Sequence, residues 1–127
     1  MGQCPCHSKK SYEGCCQKFH EGELPQAPLQ LMRSRYAAYA LGFAGYIIHT
    51  TDPEGPMWSD DLETWEQEIL LFSRETEFLG LEILEERGDT VTFKAKLKTG
   101  SEDTSFTEKS RFIQKDGKWL YHSGIIS

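Results

Sequence analysis

Hydrophobic positions recur at two different periods along this chain, every three to four residues in the first half and every second residue from residue 76 onward. Leu29, Met32, Tyr36, Tyr39, Ala40 and Phe43 fall on one face of a helix, with Arg33 and Arg35 flanking that face on opposite sides. Gly42 and Gly45 loosen the pattern before Tyr46, and Pro53 restricts the residue ahead of it, so a second short helix should end before Asp52. The run from Asp52 to Pro56 reads as a turn or loop. Ser59, Asp60 and Asp61 then open a third helix, where oxygen acceptors and negative charge suit the unpaired amides of a helix start. Leu62, Trp65, Ile69 and Phe72 share its buried face, and Trp58 packs at its entrance.

From residue 76 onward the period is two. Thr76 to Glu86 reads as a strand and Gly88-Asp89 as a turn. Val91, Phe93, Ala95 and Leu97 alternate with Thr92, Lys94, Lys96 and Lys98, the mark of a strand with one buried face. Residues 100–104 read as a loop, and residues 106–115 and 118–126 as a hairpin around Asp116-Gly117, the dipeptide favoured in type I′ turns. That turn sets a register: Lys115 opposes Lys118, Gln114 opposes Trp119, Phe112 opposes Tyr121 and Ser110 opposes Ser123, with Glu108 on the same side. Three helices followed by a four-stranded antiparallel sheet predict an α+β domain whose helices cover the Phe93, Phe112 and Tyr121 face.

On that inner face Glu108, Ser110, Tyr121 and Ser123 are polar groups in apolar surroundings. Tyr36, Tyr39, Trp58, Trp65, Phe112 and Trp119 are candidate walls, and such a concavity is the default small-molecule site. The competing expectation is a closed core in which Glu108 pairs with Arg33 or Arg35, as buried carboxylates usually do. The four histidines, His7, His20, His49 and His122, are dispersed, and no nucleophile and base stand together, so an enzyme is the less favoured class.

A chain of 127 residues, 38% of them hydrophobic, supports one core and a small appendage. The formal charge of −6 argues against a nucleic-acid surface, which needs clustered Lys and Arg. The start, Met1-Gly2-Gln3-Cys4, has neither a basic nor an apolar signal region, and no apolar run approaches the ~20 residues that span a bilayer. A cytoplasmic, reducing location is the expectation, with no membrane partner.

All four cysteines, Cys4, Cys6, Cys15 and Cys16, lie at the amino-terminal end. A C-x-C pair and a C-C pair separated by eight residues bring four soft donors into one loop, suited to a tetrahedral structural zinc site with Zn–S bonds of about 2.3 Å. Disulfides would strain the adjacent Cys15 and Cys16, and redox catalysis usually uses C-x-x-C after a strand. With four thiolates, His20 is surplus, and is expected outside the ligand shell unless it displaces Cys16. Lys9, Lys10 and Lys18 are placed to offset the negative site, and a closed shell leaves no open metal position for catalysis.

The stretch from Cys4 through Pro5, Cys6, His7 and Gly14 to Cys15 and Cys16 resembles the SEC-C motif, a small zinc knuckle. With Phe19-His20-Glu21-Gly22, Leu31-Met32-Arg33-Ser34-Arg35-Tyr36, Glu108-Lys109-Ser110-Arg111-Phe112 and Gly117-Lys118-Trp119-Leu120-Tyr121, the chain is similar to the YchJ-like family. The resemblance implies a zinc knuckle over residues 1–22 and, over 28–127, a cystatin-like cone of the nuclear transport factor 2 type. Long family members repeat the motif near the carboxyl end, whereas no cysteine follows Cys16 here. Where members carry His-Pro, this chain has Asp52-Pro53, and where they carry Trp-x-Tyr-x-Asp-Gly it has Trp119-Leu120-Tyr121-His122-Ser123-Gly124.

Three functions fit these features. The leading one is a cytosolic interaction module whose knuckle presents Lys9, Lys10, Tyr12, Lys18 and Phe19 to a protein partner. The alternatives are a small-molecule or enzymatic pocket in the cone, and a thiol redox or zinc-release sensor.

Overall fold

The computed structural model describes residues 2–127, so Met1, the first residue of the expected knuckle, lies outside the described residues. A short helix α1 (Gln17–His20) closes the cysteine loop and is followed by α2 (Pro28–Leu41), α3 (Ala44–His49) and α4 (Leu62–Glu75). Strands β1 (Thr76–Arg87), β2 (Thr90–Thr99), β3 (Glu102–Asp103), β4 (Phe106–Lys115) and β5 (Lys118–Ile126) complete the chain. The α+β architecture is the expected one, an antiparallel sheet in the order β1-β2-β4-β5 with helices on one face. Two small elements escape a reading by period: α1 is a single turn, and β3 is a two-residue pairing against β2 inside the expected loop.

Local chemistry accounts for the boundaries. Pro28 starts α2, where a missing N–H costs nothing, and Gly42 ends it at φ 79°, a left-handed cap that glycine adopts freely. Asp61 caps α4 by accepting from the Thr64 amide at 3.1 Å. Asp116 and Gly117, at φ 51° and 79°, make the tight turn between β4 and β5.

Helix α2 is buried on several sides rather than along the single expected stripe. Leu31, Met32 and Tyr36 pack with Val91, Phe93, Leu97, Phe112 and Tyr121 of the sheet, Ala37 packs against the cysteines, and Ala38 against Ala44, Ile47 and Ile69. A helix enclosed by sheet, knuckle and two further helices needs small residues wherever a neighbour comes close, which explains the alanines. Phe43, expected on the helix face, lies beyond its Gly42 cap and is 43% exposed. On α4 only Ile69 is fully buried, while Leu62 and Phe72 of the expected buried face are 46% and 38% exposed. This helix touches the body along one narrow line.

The β2 alternation is as expected, with Val91, Phe93, Ala95 and Leu97 buried and Lys94, Lys96 and Lys98 exposed. The hairpin register agrees from Lys115↔Lys118 through Phe112↔Tyr121 and then slips. His122 is an extra residue on β5, so Arg111 opposes Ser123 and Ser110 opposes Gly124.

Candidate functional site: cysteine knuckle and cone

The loop that carries the thiols is folded by its own backbone. The Cys4 amide donates to the Lys10 carbonyl at 2.8 Å, and the His7 amide to the Cys4 carbonyl at 3.1 Å. His7 and Lys9 take left-handed conformations at φ 62° and 72°, which reverses the chain tightly. Cys16 then caps α1. The four sulfur atoms consequently lie within 4.8 Å of one another, with Cys6 to Cys15 at 3.6 Å and Cys15 to Cys16 at 3.9 Å. A tetrahedron with metal–sulfur bonds of about 2.3 Å has edges of about 3.8 Å, so the donor set fits a thiolate-bound cation. Without a cation they cannot all ionise. Burial pushes the Cys4 thiol up to about 11, hydrogen bonding to Cys6 together with burial pushes Cys16 up, and the thiols around Cys6, Cys16 first, bring Cys6 down to about 4. Ser8 Oγ lies 3.2 Å from Cys15 Sγ, placed to donate to it.

The knuckle is docked on the body. Arg33 Nη1 donates to the Cys6 carbonyl at 3.0 Å, and His7 Nε2 to the Phe78 carbonyl at 3.1 Å. His20 does not face the sulfurs. Its Nε2 donates to the Ser34 carbonyl at 2.8 Å while Nδ1 accepts from the Tyr12 hydroxyl at 2.7 Å, a neutral tautomer consistent with burial lowering its pKa. His20 therefore ties the knuckle to α2 and contacts no thiol. The expected partner surface is corrected in the same way. Phe19 is buried, and Tyr12 is half-buried and spent on His20, because the aromatic side of the knuckle is the side that docks. Lys9, Lys10 and Lys18 remain exposed.

The second concavity is the cone, a cavity of about 430 Å³ between α2, α4 and the sheet. It gathers eight of the twelve expected pocket residues: Arg35, Tyr36, Tyr39, Trp65, Glu108, Ser110, Phe112 and Tyr121. Four lie elsewhere. Arg33 points to the knuckle, and Trp58 stacks edge-on behind Trp65 at 5.2 Å with its Nε1 donating to Asp60. Trp119 faces a separate groove of about 710 Å³ beside α3 and the knuckle. Ser123 is turned away by the His122 bulge and bonds to the His122 ring at 2.9 Å.

At the base of the cone, Glu108 Oε2 accepts from Ser110 Oγ at 2.5 Å and from Tyr121 Oη at 3.0 Å. Gly124 makes this possible, since a Cβ there would come within 2.6 Å of the Tyr121 hydroxyl and against the Glu108 carboxylate. Burial, then the charge of Glu108, pushes the Tyr121 phenol far up, so it remains a donor. The expected arginine pair does not form: among the described residues no ion pair joins Glu108 to Arg33 or Arg35. Arg35 is buried, but its Nη1 donates to the Ile47 carbonyl at 3.0 Å, Thr50 Oγ1 at 2.7 Å and Thr51 Oγ1 at 3.1 Å, and its guanidinium lies 4.5 Å from the Tyr121 ring centre. It holds the end of α3, whose last carbonyls have no partner within the helix.

The arrangement of knuckle and cone recurs in solved proteins. Residues 27–124 match the family model described as YchJ, middle NTF2-like domain. A UPF0225 protein of Deinococcus radiodurans is 41% identical, covering 93% of this chain and 85% of the relative, and one of Streptomyces coelicolor is 36% identical, covering 95% and 93%. This chain belongs to the YchJ-like family of SEC-C motif proteins. The solution structure of RPA3114, a SEC-C motif containing protein from Rhodopseudomonas palustris, superposes with a TM-score of 0.80 at 34% identity over 98% of both chains. A crystal structure of a SEC-C motif containing protein from Psychrobacter arcticus gives 0.68 at 26% identity, over 98% of this chain and 82% of that one. Among the described residues of this YchJ-like chain no helix is long and apolar enough to cross a membrane.

Several lining residues escape the sequence reading. Met57, Glu68, Phe78 and Phe106 reach the cone, and so does Phe72, whose ring meets Tyr39 at 5.5 Å and Phe78 at 5.7 Å. The alternation of β1 gave a signal for Phe78. Nothing local marks Glu68, which lies on the exposed side of α4 and reaches the cone only because that helix overhangs it.

Proposed function

We propose that this YchJ-like chain is a cytoplasmic small-molecule-binding protein, with the ligand held in the cone and one structural zinc ion held by Cys4, Cys6, Cys15 and Cys16. The observation that carries the binding reading is Glu108. It is a carboxylate lining a largely apolar cavity of about 430 Å³, supported by two hydroxyls and left without an ion-paired protein cation, the pattern of a few convergent polar groups in an apolar concavity. Zinc is supported by an all-thiol donor set at tetrahedral spacing. Its role is structural: it fixes a loop too short for a core of its own, and that loop in turn is bonded to α2 and β1 beside Tyr36 and Phe78 of the cone wall. A reducing compartment keeps the thiols available.

Exposed Lys9, Lys10 and Lys18 favour a second reading, an acidic protein partner for the knuckle, now without Tyr12 and Phe19 as contacts.

Native mass spectrometry of protein expressed in the cytosol and purified without chelator tests both parts of the first reading. One zinc per chain and a retained small molecule, absent from an Ala95→Phe variant that fills the cone, are expected. Zinc-free protein would remove the metal assignment, and an adduct unaffected by Ala95→Phe would remove the cone as its site.

A further inference from the structure

We infer that the cone selects organic cations, namely a protonated amine carried on an apolar or aromatic body. This rests on the reading of the cone as a binding pocket. Both hydroxyls that support Glu108 spend their only protons on Oε2, and among the described residues no donor reaches Oε1. Glu108 is half-buried and its two protein partners are neutral hydroxyls, so the complement it lacks in the cavity is a positive donor. The protein does not provide it. Arg35 is committed through Nη1 to the end of α3, and its guanidinium lies over the Tyr121 ring without an ion pair to Glu108 among the described residues.

The rest of the lining agrees in sign. Two carboxylates, Glu68 and Glu108, stand against one guanidinium, Arg35, which leaves the cavity formally negative. The overall charge of −6 favours cations over anions around the molecule as a whole. Tyr39, Trp65, Phe72 and Phe78 line the same cavity as Glu108, and aromatic rings attract cations as well as apolar surface. An anionic ligand of the same shape would meet two carboxylates against one guanidinium, whose Nη1 is already bonded.

The test uses the full zinc-loaded chain and three probes of matched shape, 2-phenylethylamine, 2-phenylethanol and 3-phenylpropionate, titrated at neutral pH by calorimetry and tryptophan fluorescence. The amine should bind at least about tenfold more tightly than the alcohol, as expected of a charge-assisted contact, and the carboxylate more weakly than either. Glu108→Gln, which keeps the size of the side chain, should abolish the advantage of the amine over the alcohol. The comparison among probes on the unaltered protein stands even if that variant folds poorly. Equal binding of amine and alcohol, or tighter binding of the carboxylate, would overturn the cation preference while leaving the pocket in place. Failure of all three probes to bind would overturn the pocket reading and this inference together.

Discussion

His7 in the cysteine loop donates to the carbonyl of Phe78 on β1 at 3.1 Å, across seventy-one positions of sequence. The His7 ring also meets Tyr36 edge-on at 5.7 Å, so the residue next to Cys6 touches two walls of the cone. The knuckle is therefore a splint between α2 and β1, not a tethered appendage. His7→Ala should cost about 0.5–1.5 kcal/mol, the net value of one hydrogen bond, and shift the amide resonances of Phe78 and its neighbours. Urea melts and an amide correlation spectrum measure both. An unchanged spectrum in β1 would mean that the contact does not operate in solution.

The metal shell should need its thiols and not His20. Cys15→Ser should lower zinc occupancy well below one per chain. His20→Ala should keep the metal and cost about 1–3 kcal/mol, because the Ser34 carbonyl loses its donor and Tyr12 its acceptor. Metal analysis with parallel melts separates the two variants. Loss of zinc from His20→Ala with retention in Cys16→Ala would reassign the ligands.

The inner and outer faces of the sheet should differ sharply in what they tolerate. Phe112 is 1% exposed and Lys96 is fully on the solvent side. Phe112→Ala should cost about 3–5 kcal/mol, and Lys96→Ala close to nothing. Equal costs in denaturant melts would contradict the register.

That register shows what was legible in the sequence and what was not. The alternation from Val91 to Lys98 and the Asp116-Gly117 turn are local signals, so the β2 face and the pairing as far as Phe112↔Tyr121 could be read directly. The His122 bulge could not, because it answers to tertiary neighbours: the Tyr121 amide and carbonyl bond to Thr50 and Asp52 beyond α3. The slip exchanges Ser123 for Gly124 at the base of the cone. In the knuckle, the spacing of the cysteines marked the donor set, but the direction of Tyr12 and Phe19 depends on where the loop docks. No pattern within the first twenty-two residues encodes that surface.

Asp52 gives a pH signature. Burial opposes its ionisation, but the bond from Lys115 Nζ at 2.7 Å and the Glu54 amide at 3.0 Å outweigh it and hold its pKa below the ordinary 3.8. A carboxyl lowered on folding stabilises the protein fully above its unfolded value and loses that contribution as pH falls through the folded value. The difference in melting temperature between the natural protein and Asp52→Asn should therefore be constant near neutral pH and shrink toward about pH 3. A difference that persists undiminished in acid would show that the ion pair is not its source.

The location of a ligand tests the cone most directly. Amide resonances of the zinc-loaded chain, followed during titration with 2-phenylethylamine, should move together at Ser110, Phe112, Tyr121 and Gly124, which surround Glu108, while Lys94, Lys96 and Lys98 on the outer face stay still. Shifts confined to the outer face or to the exposed lysines of the knuckle would contradict the cone as the binding site.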